Sequence, residues 1–310
     1  MRPDGSLHVV SVSIGSSSRD KVVEADLGGR HVIIERRGTD GDLERARTLI
    51  GELDGTVDAF GLGGTDLYLV AAGQSYTIRD AARIASAAKQ TPVLDGSGLK
   101  GTLEPAAVTH LVRSGELDLA QSKVLVVTAV DRFGMAEALA AQAKEVVIGD
   151  LMFNLGLPFA IRSMAALHRL AKALLPIIVR LPFKLLYPTG EKQTAITPKW
   201  GKWYAWADVI AGDFHMIRRF LPAEPDALAG KVVLTNTTTA EDVALLRSRG
   251  LSRLITTTPV FDGRSFGTNV MEAVLTALAG QREPLAPQQM LDQLESWGWE
   301  PTVTRLDSTA

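Results

Sequence analysis

Side chains that could carry out acid–base chemistry follow predicted strands in the second half of the sequence. Asp213 and His215 lie two residues apart, in Gly212-Asp213-Phe214-His215. They could form an acid–base pair, because histidine titrates nearest neutrality. Two alternatives are a helix-capping aspartate beside a structural histidine, and metal ligation together with Asp131 or Asp150. We predict Asp213 and His215 to be catalytic, and we predict no metal site.

Hydroxyl and amide side chains follow two further strands. They form the run Asn236-Thr237-Thr238-Thr239 and the run Thr256-Thr257-Thr258. Arg264, Ser265 and Asn269 lie just beyond, and a guanidinium fork matches phosphate or carboxylate oxygens bidentately. We therefore predict Arg264, Ser265 and Asn269 to bind an anion. Each polar residue could instead cap the helix that follows it.

A second candidate anion site is the loop Asp95-Gly96-Ser97-Gly98-Leu99-Lys100. It follows a predicted strand and precedes a helix, so free N–H groups and the helix dipole point towards it. We predict ligand contacts from Asp95, Ser97 and Lys100; the alternative is a plain turn in which Asp95 and Ser97 cap. The glycines of Gly61-Leu62-Gly63-Gly64 precede a strand instead of a helix, which favours close packing over a dinucleotide fingerprint.

Strands rich in valine and isoleucine alternate with helices rich in alanine and leucine along most of the chain. This alternation predicts mostly parallel sheets with right-handed crossovers. Ligands of such sheets bind outside the carboxyl ends of the strands, where most of these side chains lie. The fold class is α/β, with two Rossmann-like layer domains at residues 1–118 and 119–310 and a helical amphipathic insertion at residues 155–206.

The insertion is apolar but carries cations. On a helical wheel, apolar residues from Ile161 to Leu175 fall on one side, opposite Arg162, Arg169 and Lys172. Proline disrupts helices, so we predict that this helix ends near Pro176. Three interpretations remain: a helix docked on the protein's own core, membrane-surface contact or a lid through residues 160–187, and a homo-oligomer interface. Lys192 follows and could reach a site if the segment closes as a lid; the alternative is a solvated lysine.

Composition excludes several functions. The chain has 310 residues, an apolar share of 46% and a net charge of −2, so general nucleic-acid binding is not expected. It has no cysteine, which excludes disulfides, thiol catalysis and cysteine metal sites. The first residues contain no long apolar run, so no signal peptide is expected. We predict a cytoplasmic protein, at the inner face of the membrane if the basic segment binds lipid.

Eight segments together resemble, over nearly the full length of the chain, a bacterial family labelled quinate 5-dehydrogenase. They are VSIGSS (12–17), GTDGD (38–42), VDAFGLGG (57–64), DGSGLK (95–100), AVDRFGMAEAL (129–139), LYPTGEKQ (186–193), DVIAGDFH (208–215) and GRSFGTNVME (263–272). The resemblance implies NAD(P)-linked oxidation of a cyclic polyol carboxylate. It makes NAD or NADP the expected cofactor and a small anionic polyol the expected substrate.

The strand most like a nucleotide-binding strand is Val124–Val130, so the resemblance puts the cofactor near the turn that follows. The expected cofactor-binding residues are Asp131, Arg132, Gly134, Asn236, Thr237 and Thr258. Dehydrogenases of this type carry a glycine-rich turn and a Lys–Asp pair; this turn has one glycine, and no matched pair is present. Two alternatives stay open: a peripheral-membrane enzyme for a phosphorylated or lipid-linked substrate, and a non-catalytic ligand-binding protein.

Overall fold

The computed structural model describes residues 5–186, 196–258, 260–261 and 264–306, with Lys184, 260–261 and 264–265 described by backbone alone. The strands are β1 (Leu7–Ser13), β2 (Lys21–Leu27), β3 (Arg30–Gly38), β4 (Ala59–Gly63), β5 (Tyr68–Ala71), β6 (Gln74–Thr77), β7 (Val93–Leu94), β8 (Lys123–Val126), β9 (Glu145–Ile148), β10 (Val209–Ala211), β11 (Val232–Thr235), β12 (Arg253–Thr256), β13 (Val260–Phe261), β14 (Arg264–Ser265) and β15 (Thr302–Arg305).

The helices alternate with these strands as the sequence predicts. They are α1 (Leu43–Leu53), α2 (Arg79–Ala85), α3 (Ser97–Arg113), α4 (Phe133–Ala140), α5 (Asp150–Phe153), α6 (Met164–Ile178), α7 (Phe183–Leu186), α8 (Gly201–Trp206), α9 (Phe214–Arg219), α10 (Ala240–Ser248), α11 (Thr268–Leu278) and α12 (Pro287–Ser296).

The chain forms two compact units, each built around its own sheet. The first comprises Met1–Thr102, Ala173–Lys192 and Phe266–Trp299; the second comprises Leu103–Lys172, Gln193–Ser265 and Glu300–Ala310. Both sheets are mostly parallel and carry helices, so the predicted α/β fold class is confirmed. The units are not the continuous segments 1–118 and 119–310, because the chain returns to the first unit near its end.

The sheet of the first unit has the order β2-β3-β1-β4-β7. Strand β2 pairs antiparallel with β3 through the turn at Gly28 and Gly29, as the glycine pair predicts, and the other pairs are parallel. All seven residues of β1 are buried, as expected for a central strand covered on both faces. The buried side chains of β1 and β4 form the core of this unit.

Helix α11 covers β1, β4 and β7 of the first unit, although it lies more than 170 residues further along the chain. Gly61 and Gly63 of β4 allow this approach. A β-carbon at Gly61 would lie 3.0 Å from the backbone oxygen of Asn269, and one at Gly63 would lie 3.2 Å from its Nδ2. The predicted role of these glycines in close packing is therefore confirmed, and their partner is a helix.

The sheet of the second unit has the order β15-β12-β11-β10-β8-β9 and is parallel except for β15. Strand β9 follows β8 along the chain and lies on one side of it, whereas β10 lies on its other side. The first five strands thus have the doubly wound order 2-1-3-4-5, in which the chain reverses direction between β8 and β10. Loops leave the two strands in opposite directions at this switch point and open a crevice there.

The predicted helical insertion contains α6, α7 and α8. Helix α6 continues past Pro176 to Ile178, so the predicted end is wrong. Proline in the last turn removes only one hydrogen bond, to the carbonyl of the exposed Lys172, which solvent can satisfy. Leu167, Ala171 and Leu175 are buried, so the apolar face of α6 packs within the protein, as in the first interpretation, and is not available to a bilayer. No helix in the described ranges is long and apolar enough to cross a membrane.

Replacing Gly61 with alanine tests the packing of α11 on β4. We expect Gly61→Ala to lower the free energy of unfolding by about 1–3 kcal/mol, because the neighbouring atoms include backbone atoms that cannot rotate away. Gly101→Ala is the matched control in α3, where a β-carbon meets nothing within 4 Å. That change should instead stabilise by about 0.5–1 kcal/mol through helix propensity. Urea denaturation of both variants measures the difference, and equal effects would contradict the packing argument.

Candidate functional site

The switch point of the second unit brings two polar turns together. Strand β8 leads into Asp131 and Arg132, and β10 leads into Gly212 and Asp213. A β-carbon at Gly212 would lie 2.7 Å from Cγ2 of Val127, so only glycine lets the two strand ends approach this closely. The crevice that the sheet order predicts is therefore lined by charged side chains.

A buried guanidinium lies at the centre of this site. Arg132 is 2% exposed, and its Nη1 donates a hydrogen bond to the carboxylate of Glu104, which is fully buried on α3. Its Nη2 donates to Oδ2 of Asp213 at 3.1 Å, and Oδ2 of Asp131 lies 3.6 Å from its Nε. Burial alone lowers the pKa of Arg132, but the three carboxylates outweigh it and hold the pKa above its ordinary value. Arg132 is therefore bound by the protein's own carboxylates, which argues against its predicted role in binding the cofactor.

Asp213 is used as a helix cap. Its Oδ1 accepts a hydrogen bond from the backbone N–H of His215 at 2.9 Å and caps α9, while its Oδ2 binds Arg132. The side chain of His215 is exposed. This contact runs to the backbone of His215, as in the capping alternative, and the catalytic roles of Asp213 and His215 stay predictions. An aspartate at this position stabilises the start of the helix through the free N–H groups of its first turn.

Asp150 is a buried carboxyl group at the end of β9. Its Oδ2 accepts a hydrogen bond from the N–H of Ala129 at 2.9 Å, and its Oδ1 accepts one from the N–H of Val130 at 3.0 Å. These two bonds hold the loop after β8 in place. Burial raises the pKa of Asp150 to about 7; the two N–H groups oppose this rise, and the charge of Asp131 adds to it. This side chain therefore changes charge near neutral pH.

Acidic residues outnumber the cation in this cluster. Three carboxylates, those of Glu104, Asp131 and Asp213, contact the guanidinium of Arg132, and the charge of Asp131 also acts on the carboxyl group of Asp150. Even with Asp150 protonated, the cluster has three carboxylates and one cation. A site with this charge excess repels anions and favours neutral groups that donate hydrogen bonds.

Hydroxyl groups continue the same edge of the sheet. The Oγ1 of Thr235 lies 2.8 Å from the Gly212 oxygen and 3.0 Å from the Asn236 side-chain oxygen, and the N–H of Thr258 donates to the Asn236 backbone oxygen at 3.2 Å. Among the described residues, the buried hydroxyls of Thr128 and Thr258 have no hydrogen-bond partner. The structure thus brings Asn236, Thr237 and Thr258 to the same edge as Asp131, Arg132 and Asp213.

Helix α4 begins at this edge without a side-chain cap. Arg132 is its N-cap residue, and Gly134 lies in its first turn, as the predicted nucleotide turn requires. Gly134 is partly exposed. A helix thus begins soon after β8, but the glycine-rich turn that the resemblance implies is absent from it, and the charged side chains Asp131 and Asp213 nearby are acidic.

The loop from Asp95 to Lys100 belongs to the first unit, and its N–H groups are occupied. Asp95 accepts hydrogen bonds from Leu67 at 2.6 Å, Tyr68 at 2.9 Å and Ser97 at 3.0 Å. The carboxyl group of Glu272, on α11, lies 3.4 Å from the N–H of Leu99. The helix start that the sequence predicts as an anion site thus already holds two carboxyl groups of the same chain.

Lys100 has an acidic partner in this unit. Its Nζ lies 2.5 Å from Oδ1 of Asp66, and both side chains are largely buried. Burial raises the pKa of Glu272 to about 7; the charge of Asp95 adds to this rise, and the N–H groups at the helix start oppose it, as does Lys100. Anion binding by Lys100 would therefore have to displace an existing ion pair.

The remaining predicted residues belong to the first unit or have side chains outside the described residues. Asn269 belongs to the first unit, where its Nδ2 donates to the hydroxyl of Ser11 at 3.2 Å. Lys192 and the side chains of Arg264 and Ser265 lie outside the described residues. In the part of the chain that the structure describes, no group of three or more His, Asp or Glu side chains could hold a metal ion.

Sequence reasoning missed Glu104 and treated Asp150 only as a possible metal ligand. A signal for Glu104 exists: Leu99, Leu103, Ala107 and Leu111 form a buried stripe of α3, and Glu104 lies on that stripe. A carboxylate among buried apolar positions requires a buried partner, and Arg132 provides it.

Comparison with protein families assigns the chain without assigning an activity. Residues 98–306 match Domain of unknown function (DUF8754), and residues 8–95 match Domain of unknown function (DUF8753). The chain belongs to the DUF8754 family. Curated proteins give no match. The resemblance to proteins labelled quinate 5-dehydrogenase is neither supported nor contradicted by these comparisons and stays a prediction.

Solved structures with similar folds include proteins of different classes. A periplasmic solute-binding protein of an Actinobacillus succinogenes ABC transporter, with bound D-allose, is 11% identical and has a TM-score of 0.38; the match covers 92% of this chain and 99% of that one. A Caulobacter myo-inositol binding protein is 12% identical, with 96% and 93% covered and a TM-score of 0.39. The NAD-dependent malic enzyme of Thermotoga maritima is 13% identical, with 93% and 83% covered and a TM-score of 0.39. Similarities this low carry no functional information.

The raised pKa values predict a specific dependence of stability on pH. Between about pH 4 and pH 7 the unfolded chain has lost the protons of Asp150 and Glu272, whereas the folded chain keeps them. Each group therefore lowers the free energy of unfolding by about 1.4 kcal/mol per pH unit as the pH rises through this window. Below about pH 4 this loss of free energy of unfolding is absent, and above about pH 7 it is complete.

We expect Asp150→Asn and Glu272→Gln each to remove one such slope. The free-energy difference between each variant and the wild type should shift in favour of the variant from pH 4 to pH 7 and then stay constant. Each substitution also replaces a carboxyl oxygen that accepts a hydrogen bond, which lowers the free energy of unfolding by an amount that does not change with pH. The double variant should show the sum, because the two residues lie in different units. Urea denaturation from about pH 4 to about pH 8 measures the free energy of unfolding of each protein. A difference between variant and wild type that does not change with pH would contradict the raised pKa values of Asp150 and Glu272.

A double-mutant cycle tests the cluster around Arg132. Arg132→Met should destabilise the protein by about 3–5 kcal/mol, because it leaves the buried carboxylate of Glu104 without its cation. Adding Glu104→Gln removes that charge, so the double variant should be more stable than Arg132→Met alone. Urea denaturation gives the coupling energy. Strictly additive effects of the two substitutions would show that the pair is not coupled.

Proposed function

We propose that the second unit binds a small, uncharged, polyhydroxylated molecule at the switch point between β8 and β10, as a ligand-binding protein that carries out no chemical step. The observation that carries this proposal is the excess of carboxyl groups around Arg132. Among the described residues, this edge presents oxygen acceptors and hydroxyl groups, and the guanidinium of Arg132 is buried.

Hydroxyl groups of a polyol match these side chains. Asp131 and Asp213 are each about one-fifth exposed, so their carboxylates can accept hydrogen bonds from a ligand without leaving the cluster. The amide of Asn236 can both donate and accept. Hydrogen bonds to charged acceptors are the strong ones, so two carboxylates would fix the orientation of a small polyol.

The same charges oppose an anionic ligand. A pyrophosphate, a phosphorylated substrate or the carboxylate of quinate would lie close to Asp131 and Asp213, and Arg132 is already neutralised. Like charges placed together cost several kcal/mol, on the order of what a small ligand gains in binding. This argument opposes the anionic polyol that the resemblance implies, and it equally opposes a phosphorylated or lipid-linked substrate.

An NAD(P)-linked dehydrogenase is the second candidate. The free first turn of α4 at the end of β8, with Gly134 in it, supports this function. The exposed side chain of His215 and the capping role of Asp213 do not support a dehydrogenase. A protonated Asp150 could serve as an acid, but both its oxygens already bind backbone N–H groups.

Calorimetric titration with a matched pair of ligands decides between these functions. myo-Inositol and quinate are cyclic polyols of similar size, and only quinate carries a charge. We expect a neutral cyclitol or aldose from a panel that includes myo-inositol to bind, and quinate to bind at least about tenfold more weakly or not at all. NAD+ and NADP+ should give no heat. Preferential binding of quinate together with NAD+ would establish the dehydrogenase instead.

Variants locate the site. Asp131→Asn should weaken the binding of the neutral polyol by about tenfold or more, because a charged acceptor becomes neutral. Asp118→Asn is the matched control: it removes the same charge from an exposed residue just before β8, at the opposite edge of the sheet. An equal loss in both variants would place the ligand elsewhere.

A further inference from the structure

An exposed apolar loop in the second unit lies between α5 and α6. The residues from Asn154 to Phe159 are all exposed, and they include Leu155 at 52%, Leu157 at 43% and Phe159 at 63% exposure. The loop is fixed at its base. The N–H of Gly156 donates to the Met152 oxygen at 3.0 Å, and that of Leu157 donates to the Leu151 oxygen at 2.8 Å. Three large apolar side chains are thus presented to solvent by an ordered backbone.

Lys199, which lies over the ring of Trp200, is next to this loop, and further cations lie over Trp203. A β-carbon at Gly156 would lie 3.9 Å from Nζ of Lys199, which in turn lies 4.4 Å from the centre of the Trp200 ring. Trp203 has two cations over its ring, Lys202 at 5.1 Å and Arg162 at 5.6 Å. The tryptophan rings pack against the core of the unit, so the cations are held beside the loop.

The segments that form this surface contain no acidic residue. Neither residues 151–172 nor residues 196–207 include an aspartate or a glutamate. These two segments therefore carry a net positive charge, although the whole chain has a net charge of −2. Apolar side chains that project beyond a ring of cations match the layers of an anionic bilayer, in which the acyl region lies beneath negative headgroups.

We propose that this surface, formed by Leu155, Leu157, Phe159, Arg162, Lys199 and Lys202, binds the surface of an anionic lipid bilayer. It differs from the predicted segment 160–187, whose helix buries its apolar face, and it shares only Arg162 with that segment. Three apolar side chains on one short loop are too few for the core of a stable protein interface, which needs about 800 Å² from each partner. Insertion of a short loop into a bilayer requires no such area.

Vesicle co-sedimentation of the full chain tests the proposal, with phosphatidylcholine vesicles compared with vesicles that also contain phosphatidylglycerol. We expect binding to the anionic vesicles only, weakened at high salt because charge attraction is screened. Binding should also change the tryptophan emission, since Trp200 and Trp203 border the loop. Absence of binding to anionic vesicles, or equal binding to both kinds, would overturn the proposal.

Two double variants separate the contributions. Leu157→Ser with Phe159→Ser should weaken vesicle binding by at least about tenfold, through lost apolar contact. Lys199→Gln with Lys202→Gln should weaken it by about tenfold or more, through lost charge attraction. Val22→Ser is the control, because Val22 is an exposed apolar residue of the first unit and its loss should leave binding unchanged. Wild-type affinity in either double variant would contradict the assignment.

The oligomeric state provides an independent check. Light scattering of the wild type and of the Leu157→Ser, Phe159→Ser variant shows whether the loop joins two copies of the chain. We expect the same mass for both proteins and an unchanged melting temperature, because the substituted side chains are exposed. A dimer that the variant dissociates, together with no binding to vesicles, would make the loop a self-association surface and overturn the proposal.

Discussion

The buried guanidinium of Arg132 is the interaction on which the second unit depends. It joins Glu104 on α3, Asp131 after β8 and Asp213 after β10, so one side chain ties a helix to two strand ends. A buried charge is tolerated only when it is paired, and the cost of leaving any partner alone keeps the group together. The geometry of the crevice between β8 and β10 is therefore set by an ion cluster at its base.

In both units, carboxyl groups of the same chain accept hydrogen bonds from backbone N–H groups at helix starts or after strand ends. In the first unit, Asp95 and Glu272 lie where the start of α3 could otherwise hold a phosphate. In the second, Asp150 and Asp213 receive the N–H groups that follow β8 and begin α9. These positions favour negative charge through free N–H groups and helix dipoles. Carboxyl groups of the same chain accept these N–H hydrogen bonds, and the carboxylates around Arg132 give that edge of the second unit its acidic character.

This protein combines buried carboxyl groups that keep their protons with exposed cations beside an apolar loop. The carboxyl groups of Asp150 and Glu272 have pKa values near neutrality because the protein removes them from water, so the protein keeps two protons that an exposed carboxylate would lose. The exposed surface around Phe159 has the opposite character, with cations held on tryptophan rings and no acidic residue in its segments. The carboxylates around Arg132 and the cations beside the apolar loop thus lie on different elements of the second unit, as do the proposed ligand site and the proposed membrane-binding surface.

The sequence alone determined the α/β class, the strand-to-helix rhythm and the edge where polar side chains collect. These features follow from local periodicity and from the parallel arrangement it implies. It also indicated the packing role of Gly61 and the possible capping role of Asp213. Only the tertiary structure decided which residues and elements contact each other. Arg132 and Glu104 are 28 residues apart, and α11 meets β4 across more than 200 residues. Periodicity does not encode such pairings, because they depend on which helix returns to which sheet and on which charges are buried together.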